Sequence, residues 1–358
     1  MGIFQKIIQD EYEQLLFCAD PSSGLSALVA IHDTSLGPAL GGCRIWPHKT
    51  EKDALEDVLR LAKAMTYKNA AAGLNFGGGK ALIWANSTRK NEGMLRSFGR
   101  YIDSLSGRYI TTEDVGSSQE DMVSIRQTTR YVVGLPTSLG GSGDPSKATG
   151  FGIWKGMKAC VQKSFGTQSL EGMRIAFQGF GKVANYLAEY LVEEKAKLYV
   201  TDVNKDALSR AEILGCSIVE NPEAIYDIPC EIFSPCALGG ILNPASISRL
   251  QCKVVAGCAN NQLLDDSDGE LLEERGILYA PDYVINAGGV INLSFEFQGQ
   301  YSEINAFQRV EKIFDSVTNV ITTASTENIS TNRAAARIAE ARILSVKNSK
   351  SIFQWNHS

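Results

Sequence analysis

Histidine is scarce in this chain, with three residues in 358: His32, His48 and His357. A histidine-based metal site or catalytic triad therefore has almost nothing to draw on, and no metal is expected. Long apolar runs are missing as well. No stretch reaches the roughly 18 residues that a membrane span needs, and Met1 to Ile8 lead into Asp10, Glu11 and Glu13 rather than into an apolar leader with a small-residue cleavage site. Basic excess is absent: the net charge is -5, the pI is near 5.5, and no Lys/Arg cluster is interleaved with aromatics. Nucleic acid and membrane partners are not expected. The eight cysteines show no Cys-x-x-Cys spacing, which fits reduced thiols in a cytoplasmic protein. With 44% hydrophobic and 21% charged residues the composition is that of a globular protein, and its length exceeds what one core usually supports, so two domains are expected.

What is present is organised around Asn75-Phe76-Gly77-Gly78-Gly79-Lys80, with Lys68 twelve residues upstream. Three glycines in a row cost backbone entropy and offer no side chain to pack, which suggests backbone passing close to a ligand that Lys80 can touch. The apolar run Ala81 to Ala85 that follows reads as a buried strand anchoring the lysine. At the edge of an apolar site a lysine can serve as a general base. A solvated lysine after a flexible turn would carry the same letters.

Ser26 to His32 reads as a strand, and Gly37 to Gly42 as a turn-rich break after it. Thr50 with Asp53 three residues on opens a helix whose apolar positions Ala54, Leu55, Val58, Leu61, Ala62 and Met65 carry it to Lys68. A second helix is expected from about 91 to 105. The strand Arg108 to Thr112 then leads into Glu113-Asp114-Val115-Gly116, an acidic pair placed either in a cleft or on a surface turn. Glycine and proline crowd residues 131–152, which reads as the crossing between domains, and a helix is expected from about 150 to 160.

The second half opens with Met173 to Gln178 as a strand, then Gly179-Phe180-Gly181-Lys182-Val183-Ala184, a Gly-x-Gly-x-x-Ala dinucleotide fingerprint, and a helix from Asn185. Such glycines permit a tight turn and close approach to a pyrophosphate on the helix N-terminus. The next strand, Lys197 to Thr201, ends in Asp202. A carboxylate there accepts ribose hydroxyls of NAD and repels the 2′-phosphate of NADP. Further strands at 231–234, 253–256 and 277–280 alternate with helical pieces, as a doubly wound sheet requires. Cys236 and Ala237, Asn260 and Asn261, and Asn286 then fall beyond the strands' carboxyl ends, where ligands bind in such sheets, although turns also use these residue types. Ala306 to Ile321 reads as one amphipathic helix and 332–346 as another.

These blocks resemble the amino-acid dehydrogenases that act on glutamate, leucine, phenylalanine and valine, most closely the leucine branch. The resemblance runs through Ile31 to Thr34, Leu36 to Gly42, Met65 to Asn75, Gly77 to Lys80, Gly107 to Thr111, Glu113 to Gly116 and Ala280 to Asn292. It implies an α/β fold with an N-terminal substrate and oligomerisation domain (1–135), a Rossmann-type doubly wound NAD domain (136–325) and a C-terminal helical segment (326–358) returning towards the first domain, with the active site between the domains. It implies Lys80 as general base acting through water and Asp114 as catalytic acid. Lys68, beside Met65, would bind the substrate carboxylate together with Gly41 and Gly42. Asn261 and Asn286 match residues at the substrate and nicotinamide edge.

Where glutamate enzymes of the family meet the side-chain carboxylate with a lysine and a serine, this chain has Leu40 and Leu293, which disfavours glutamate. Thr112 and Leu293 are larger than the alanine and valine of leucine enzymes, and with Val290 they suggest a tight pocket for a branched aliphatic side chain. The expected reaction is reversible, NAD-dependent oxidative deamination by a homo-oligomer, giving a 2-oxo acid and ammonia. An aromatic substrate (phenylalanine or tryptophan) is the alternative, and a catalytically lapsed NAD-binding sensor a further one.

Overall fold

The computed structural model describes residues 2–299 and 301–352. The chain divides into two units, one of Met1–Asp144, Leu293–Ser302 and Ala339–Ser358, the other of Pro145–Asn292 and Glu303–Ile338. The first boundary lies at Asp144 where the sequence suggested residue 135, and the chain returns to the first unit twice rather than once.

The first unit holds strands β1 (Gln14–Asp20), β2 (Leu25–Asp33), β3 (Ala39–Ile45), β4 (Gly77–Ile83) and β5 (Tyr109–Glu113), and helices α1 (Ile3–Gln9), α2 (Glu51–Ala71), α3 (Glu92–Ser104) and α4 (Gln119–Arg126). The sheet order is β1-β2-β4-β3-β5, with β3 parallel to both β4 and β5. Thr50 caps α2 by accepting from the Asp53 N–H, as its spacing suggested. Side chains alternate across a strand, and the sheet is covered on both faces. Leu28, Ala30 and Leu82 pack on Ala54, Val58, Leu59 and Ala62 of α2. On the other face Ala81, Ile83, Cys43 and Tyr109 pack on Phe98 and Ile102 of α3 and Met122 of α4.

Two sequence expectations are corrected here. Gly41 and Gly42 belong to β3 rather than to a turn, and the three consecutive glycines lie inside β4. Their cause is packing. A Cβ on Gly78 would sit 2.1 Å from the Thr66 backbone nitrogen of α2, and one on Gly79 would sit 2.7 Å from the Tyr109 ring. On Gly41 it would meet the Gly79 carbonyl at 1.8 Å, and on Gly42 the Asp114 Cβ at 2.7 Å. Only side chains this small let helix, ring and strands close on one another.

The second unit holds β6 (Arg174–Gln178), β7 (Lys197–Thr201), β8 (Ser217–Ile218), β9 (Ile232–Pro235), β10 (Val254–Val255) and β11 (Leu278–Tyr279), in the order β11-β10-β9-β6-β7-β8. Every pair is parallel. Its helices are α5 (Ser146–Phe165), α6 (Lys182–Glu193), α7 (Lys205–Ile213), α8 (Pro244–Arg249), α9 (Asp268–Glu274) and α10 (Asp282–Ile285). α11 (Gly288–Phe297) starts in this unit and ends in the first, followed by α12 (Glu303–Glu311), α13 (Ile313–Glu327) and α14 (Thr331–Ile352). α5 begins four residues earlier than its glycines suggested, and the single helix expected over Ala306 to Ile321 is broken at Lys312 into α12 and α13. The end of α14 belongs to the first unit, where Arg342 donates to the Leu74 carbonyl (2.6 Å) and to Asn75 Oδ1 (2.9 Å). No helix among the described residues is long and apolar enough to cross a membrane.

Candidate active site

In the first unit the sheet brings Lys80 and Asp114 together. Lys80 lies in mid-β4 on the α2 face, 5% exposed, and its Nζ is 3.1 Å from Asp114 Oδ2. Asp114 follows β5 directly. Its N–H donates to Ser117 Oγ (2.8 Å), and that hydroxyl donates to the Cys43 carbonyl (2.8 Å), so the turn is tied to β3. Gly42 leaves room for the aspartate to lie against the strand.

The same carboxylate oxygen receives a second cation, which the sequence reading missed. Arg44 Nε donates to Asp114 Oδ2 at 3.0 Å, and its Nη1 donates to Asp57 of α2 at 2.8 Å. Asp57 in turn meets Arg60 (3.1 Å) and lies 3.3 Å from His48 Nε2. Burial resists ionisation of Asp114, but Lys80 and Arg44 outweigh it and hold its carboxyl below the usual carboxylate range. Asp114, in direct contact with Lys80 Nζ, is the group placed to exchange protons with it.

Lys68 stands in the last turn of α2, half-buried, one turn beyond Met65, so the two share a helix face. Met65 reaches Gly41: its Cγ lies 3.4 Å from where a Cβ on that glycine would be. Two buried side chains fix this end of the helix. Asn69 Nδ2 donates to the Gly77 carbonyl at 2.6 Å, and His32 Nδ1 lies 2.8 Å from Thr66 Oγ1. Burial, reinforced by Lys63, pushes the His32 imidazole towards its neutral form. Of the side-chain pocket candidates, Leu40 is fully buried, Thr112 and Leu293 nearly so, and Val290 shares a face of α11 with Leu293 three residues on.

In the second unit Gly179 has φ +100° and a Cβ there would strike Ala237 at 2.6 Å, so glycine is required twice over. Gly181 is the N-cap of α6, with no side-chain cap and nothing within 4 Å of a would-be Cβ. The first N–H groups of α6 thus face open space where an anion is favoured. Ala184 is fully buried and lets the helix close on the sheet, Val183 is half-buried beside it, and Lys182 is exposed. Phe180 turns its ring into the core against Phe177 (centroids 6.2 Å apart), and its N–H donates to Asp202 Oδ2 at 2.6 Å. Asp202 Oδ1 accepts from the Asn204 N–H at 2.8 Å. Each carboxylate oxygen keeps a further lone pair for a hydroxyl.

The loops beyond β9, β10 and α10 converge as the sheet topology suggested. Asn286 Nδ2 donates to Asn260 Oδ1 (2.8 Å) and the Cys258 carbonyl (3.2 Å), and the Gly240 N–H donates to the Asn261 carbonyl (2.7 Å). Asn261 adopts φ +52°, a conformation asparagine tolerates. Cys236 Sγ lies 3.3 Å from Ser234 Oγ. Burial pushes its thiol up, yet hydrogen bonds from Cys258 and Ser234 outweigh that and lower it.

Of the residues missing from the sequence reading, Arg44 and Asp57 had a signal only in hindsight: Arg44 alternates with Gly42 along β3, and Asp57 lies at helical spacing from Ala54 and Leu61 on α2. Asn69, although inside the Met65 to Asn75 block, had no signal of its own.

Residues 12–131 match the model of the Glu/Leu/Phe/Val dehydrogenase dimerisation domain, and residues 140–207 and 200–352 match that of glutamate/leucine/phenylalanine/valine dehydrogenase. The chain is 52% identical to leucine dehydrogenase of Bacillus cereus over 358 residues, covering 99% of this chain and 97% of that one. It is 44% identical to phenylalanine dehydrogenase of Bacillus thermotolerans over 347 residues, covering 95% and 90%. The crystal structure of L-tryptophan dehydrogenase from Nostoc punctiforme superposes with a TM-score of 0.83 at 41% identity, covering 97% of this chain and all of that one. With its lysine–aspartate pair on one sheet and its glycine turn opening a helix on the other, the chain belongs to the Glu/Leu/Phe/Val dehydrogenase family and is an amino-acid dehydrogenase with a nicotinamide cofactor.

Proposed function

We propose that this protein catalyses the reversible, NAD-dependent oxidative deamination of a branched aliphatic L-amino acid to the 2-oxo acid and ammonia. The observation that carries the reading is the Lys80–Asp114 pair, 3.1 Å apart and largely buried, on the face that also bears Lys68 and Met65. The residues of the second unit fit NAD. α6 offers an uncapped N-terminus behind a glycine with open space, and Asp202 stands at the end of β7 with acceptor capacity to spare. Gly179, Phe180, Gly181, Lys182, Val183 and Ala184 would form the pyrophosphate turn, Phe180 through its backbone because its ring is in the core. Cys236, Ala237, Asn260 and Asn286 would line the ribose and nicotinamide end. When bound, NAD supplies the acceptor for the α-hydrogen.

Lys68 and the Gly41 and Gly42 N–H groups hold the substrate carboxylate, and Asn261 lies at the substrate's edge. Once the amine is oxidised to an iminium, Lys80 takes a proton from the attacking water. Asp114, bound to Lys80 through Oδ2, moves protons to and from the departing nitrogen. Arg44 keeps that carboxylate ionised between turnovers. Leu40, Thr112, Val290 and Leu293 present no charge to a substrate side chain, so a carboxylate there would lose its solvation uncompensated.

The identities favour a leucine-type substrate, and the Nostoc relative named for tryptophan keeps an aromatic one as the second reading. The family's dimerisation-domain match over residues 12–131 supports subunit association through the first unit, and the eight unpaired cysteines support a cytoplasmic setting. The test is a screen of the twenty amino acids for reduction of NAD and of NADP. Leucine, valine and isoleucine should turn over fastest and glutamate hardly at all, and NAD should exceed NADP at least about tenfold in kcat/KM, because Asp202 repels a 2′-phosphate. Faster oxidation of phenylalanine or tryptophan moves the assignment to the second reading, and equal use of NADP refutes the cofactor choice.

A further inference from the structure

One carboxylate of the first unit accepts a dense set of hydrogen bonds yet belongs to none of the groups above. Glu296, on the last turn of α11, accepts four hydrogen bonds from a segment more than 150 residues earlier. The Gly134 N–H (2.9 Å), the Ser142 N–H (2.8 Å) and the Ser142 hydroxyl (2.7 Å) donate to Oε2, and the Leu135 N–H donates to Oε1 at 3.1 Å. The clasped segment is itself closed. Val132 bridges to Thr111, the Val133 N–H donates to the Thr111 carbonyl, and the Gly143 N–H returns to the Leu135 carbonyl. All these residues lie in the first unit.

Gly134 stands between two walls of the proposed side-chain pocket. At φ +84° it turns the chain off the β5 edge, and a Cβ built on it would lie 2.8 Å from Thr112 Oγ1 and 3.5 Å from Leu293 Cδ2. Leu293 is one turn before Glu296 on the same helix face. The clasp therefore fixes Leu293 against Gly134 and Gly134 against Thr112. The Thr112 hydroxyl is buried with no hydrogen-bond partner among the described residues, so it contributes no bond of its own to hold this wall in place.

We infer that Glu296 is a positioning residue for substrate choice: by clasping Gly134, Leu135 and Ser142 it sets the separation of Thr112 from Leu293, and hence the size of amino-acid side chain accepted. The inference rests on the amino-acid dehydrogenase reading and on those two residues as walls. Glu296 touches no reacting atom. Its two carboxylate oxygens are both acceptors facing N–H donors, and an amide in their place turns an NH2 group towards at least one of them, which opens the clasp while keeping the volume.

The test compares kcat/KM for leucine and for phenylalanine in wild type, Glu296→Gln and Ser142→Ala, with NAD saturating. Opening the clasp should lower the leucine-to-phenylalanine ratio by about tenfold in Glu296→Gln, the scale of a methylene-sized pocket change, chiefly through a raised KM for leucine. Ser142→Ala removes one of the four bonds and should shift the ratio two- to threefold in the same direction, by about a quarter to a half of the effect on a logarithmic scale. A merely structural role would lower both substrates alike, so an unchanged ratio in Glu296→Gln overturns the inference. Should that variant fail to fold, an unchanged ratio in Ser142→Ala overturns it and a lowered one supports it. Wild-type protein inactive on every amino acid would strike the dehydrogenase reading itself, whereas active wild type with unmoved ratios strikes only the clasp.

Discussion

In the first unit Gly41, Gly42, Gly77, Gly78 and Gly79 lie inside strands, and a Cβ on any of them would meet a neighbour at 2.7 Å or less. In the second unit Gly181 opens a helix with nothing within 4 Å of the same point. Both runs are glycine-rich and both belong to the proposed catalytic apparatus, yet one lacks side chains so that protein can fill the space, while at the other the space stays open, as the proposed dinucleotide site requires. The first unit is thereby a packed platform that holds Lys80 and Asp114 at a set distance. The second leaves a helix end uncapped with open space before it.

The comparison breaks most sharply at Gly78. An alanine there puts Cβ 2.1 Å from a helix backbone nitrogen, which cannot swing away as a side-chain tip can. Gly78→Ala should cost about 3 kcal/mol or more, or yield no soluble protein. Urea unfolding decides it, and a midpoint within error of wild type would mean that α2 does not press on β4.

Next in size is the chemistry the platform holds. Lys80→Ala should lower kcat by about 10²–10⁴, the contribution of positioned general-base catalysis, with the KM for NAD nearly unchanged. Lys68→Ala should act mainly on the KM of the amino acid, because it holds a charge already present in the ground state. Near-normal kcat in Lys80→Ala would remove that residue from the mechanism.

How far the letters reveal this contrast depends on where each cause lies. The fingerprint at Gly179 to Ala184 was legible because its requirements are local: a left-handed φ, a helix start and a strand ending in Asp202 all fall within about two dozen residues. The glycines of β3 and β4 read as turns and ligand loops because their cause is tertiary, in Thr66 of α2 and Tyr109 of β5. Lys80 stood out through its glycines and Asp114 as one of an acidic pair, with their catalytic roles supplied by resemblance, but Arg44, which shares the same oxygen, was not seen, since its partners lie 13 and 70 residues away. Glu296 was invisible for the same reason at 154 to 162 residues.

A smaller effect sharpens the open side. Gly181 has φ −75° and ψ −169°, an extended conformation that alanine adopts without strain. Gly181→Ala should therefore fold normally, losing at most about 1 kcal/mol from a poorer helix cap. Its methyl group enters the space where a pyrophosphate approaches, so the KM for NAD should rise about tenfold with kcat little changed. Calorimetry and initial-rate kinetics on one preparation check both halves. Unaltered NAD affinity would mean that this space is not where the dinucleotide lies.

The smallest expected effect is the pH dependence of the platform. Two strand-end aspartates mark the two units: Asp202 accepts from neutral backbone N–H groups, while Asp114 accepts from Lys80 and Arg44. Burial opposes the charge on Asp114, and the two cations more than compensate, so its folded-state value lies below the unfolded one near about 3.9. A carboxyl depressed in the folded state adds stability that is fully present above the unfolded value and lost as pH falls through the folded one. Asp114→Asn removes the titration and leaves Lys80 and Arg44 without their shared counter-charge. Wild type should then exceed the variant by about 1–3 kcal/mol at pH 7 and at pH 5, the range for hydrogen bonds to a charged group. The gap should narrow as the pH is taken below about 4, where the carboxyl of the unfolded chain takes up a proton while the folded one, held lower by Lys80 and Arg44, stays ionised. Urea unfolding at pH 7, 5 and 3.5 measures it. A gap that stays constant down to pH 3.5 would mean that Lys80 and Arg44 do not hold Asp114 ionised, and that the platform owes its rigidity to its glycines alone.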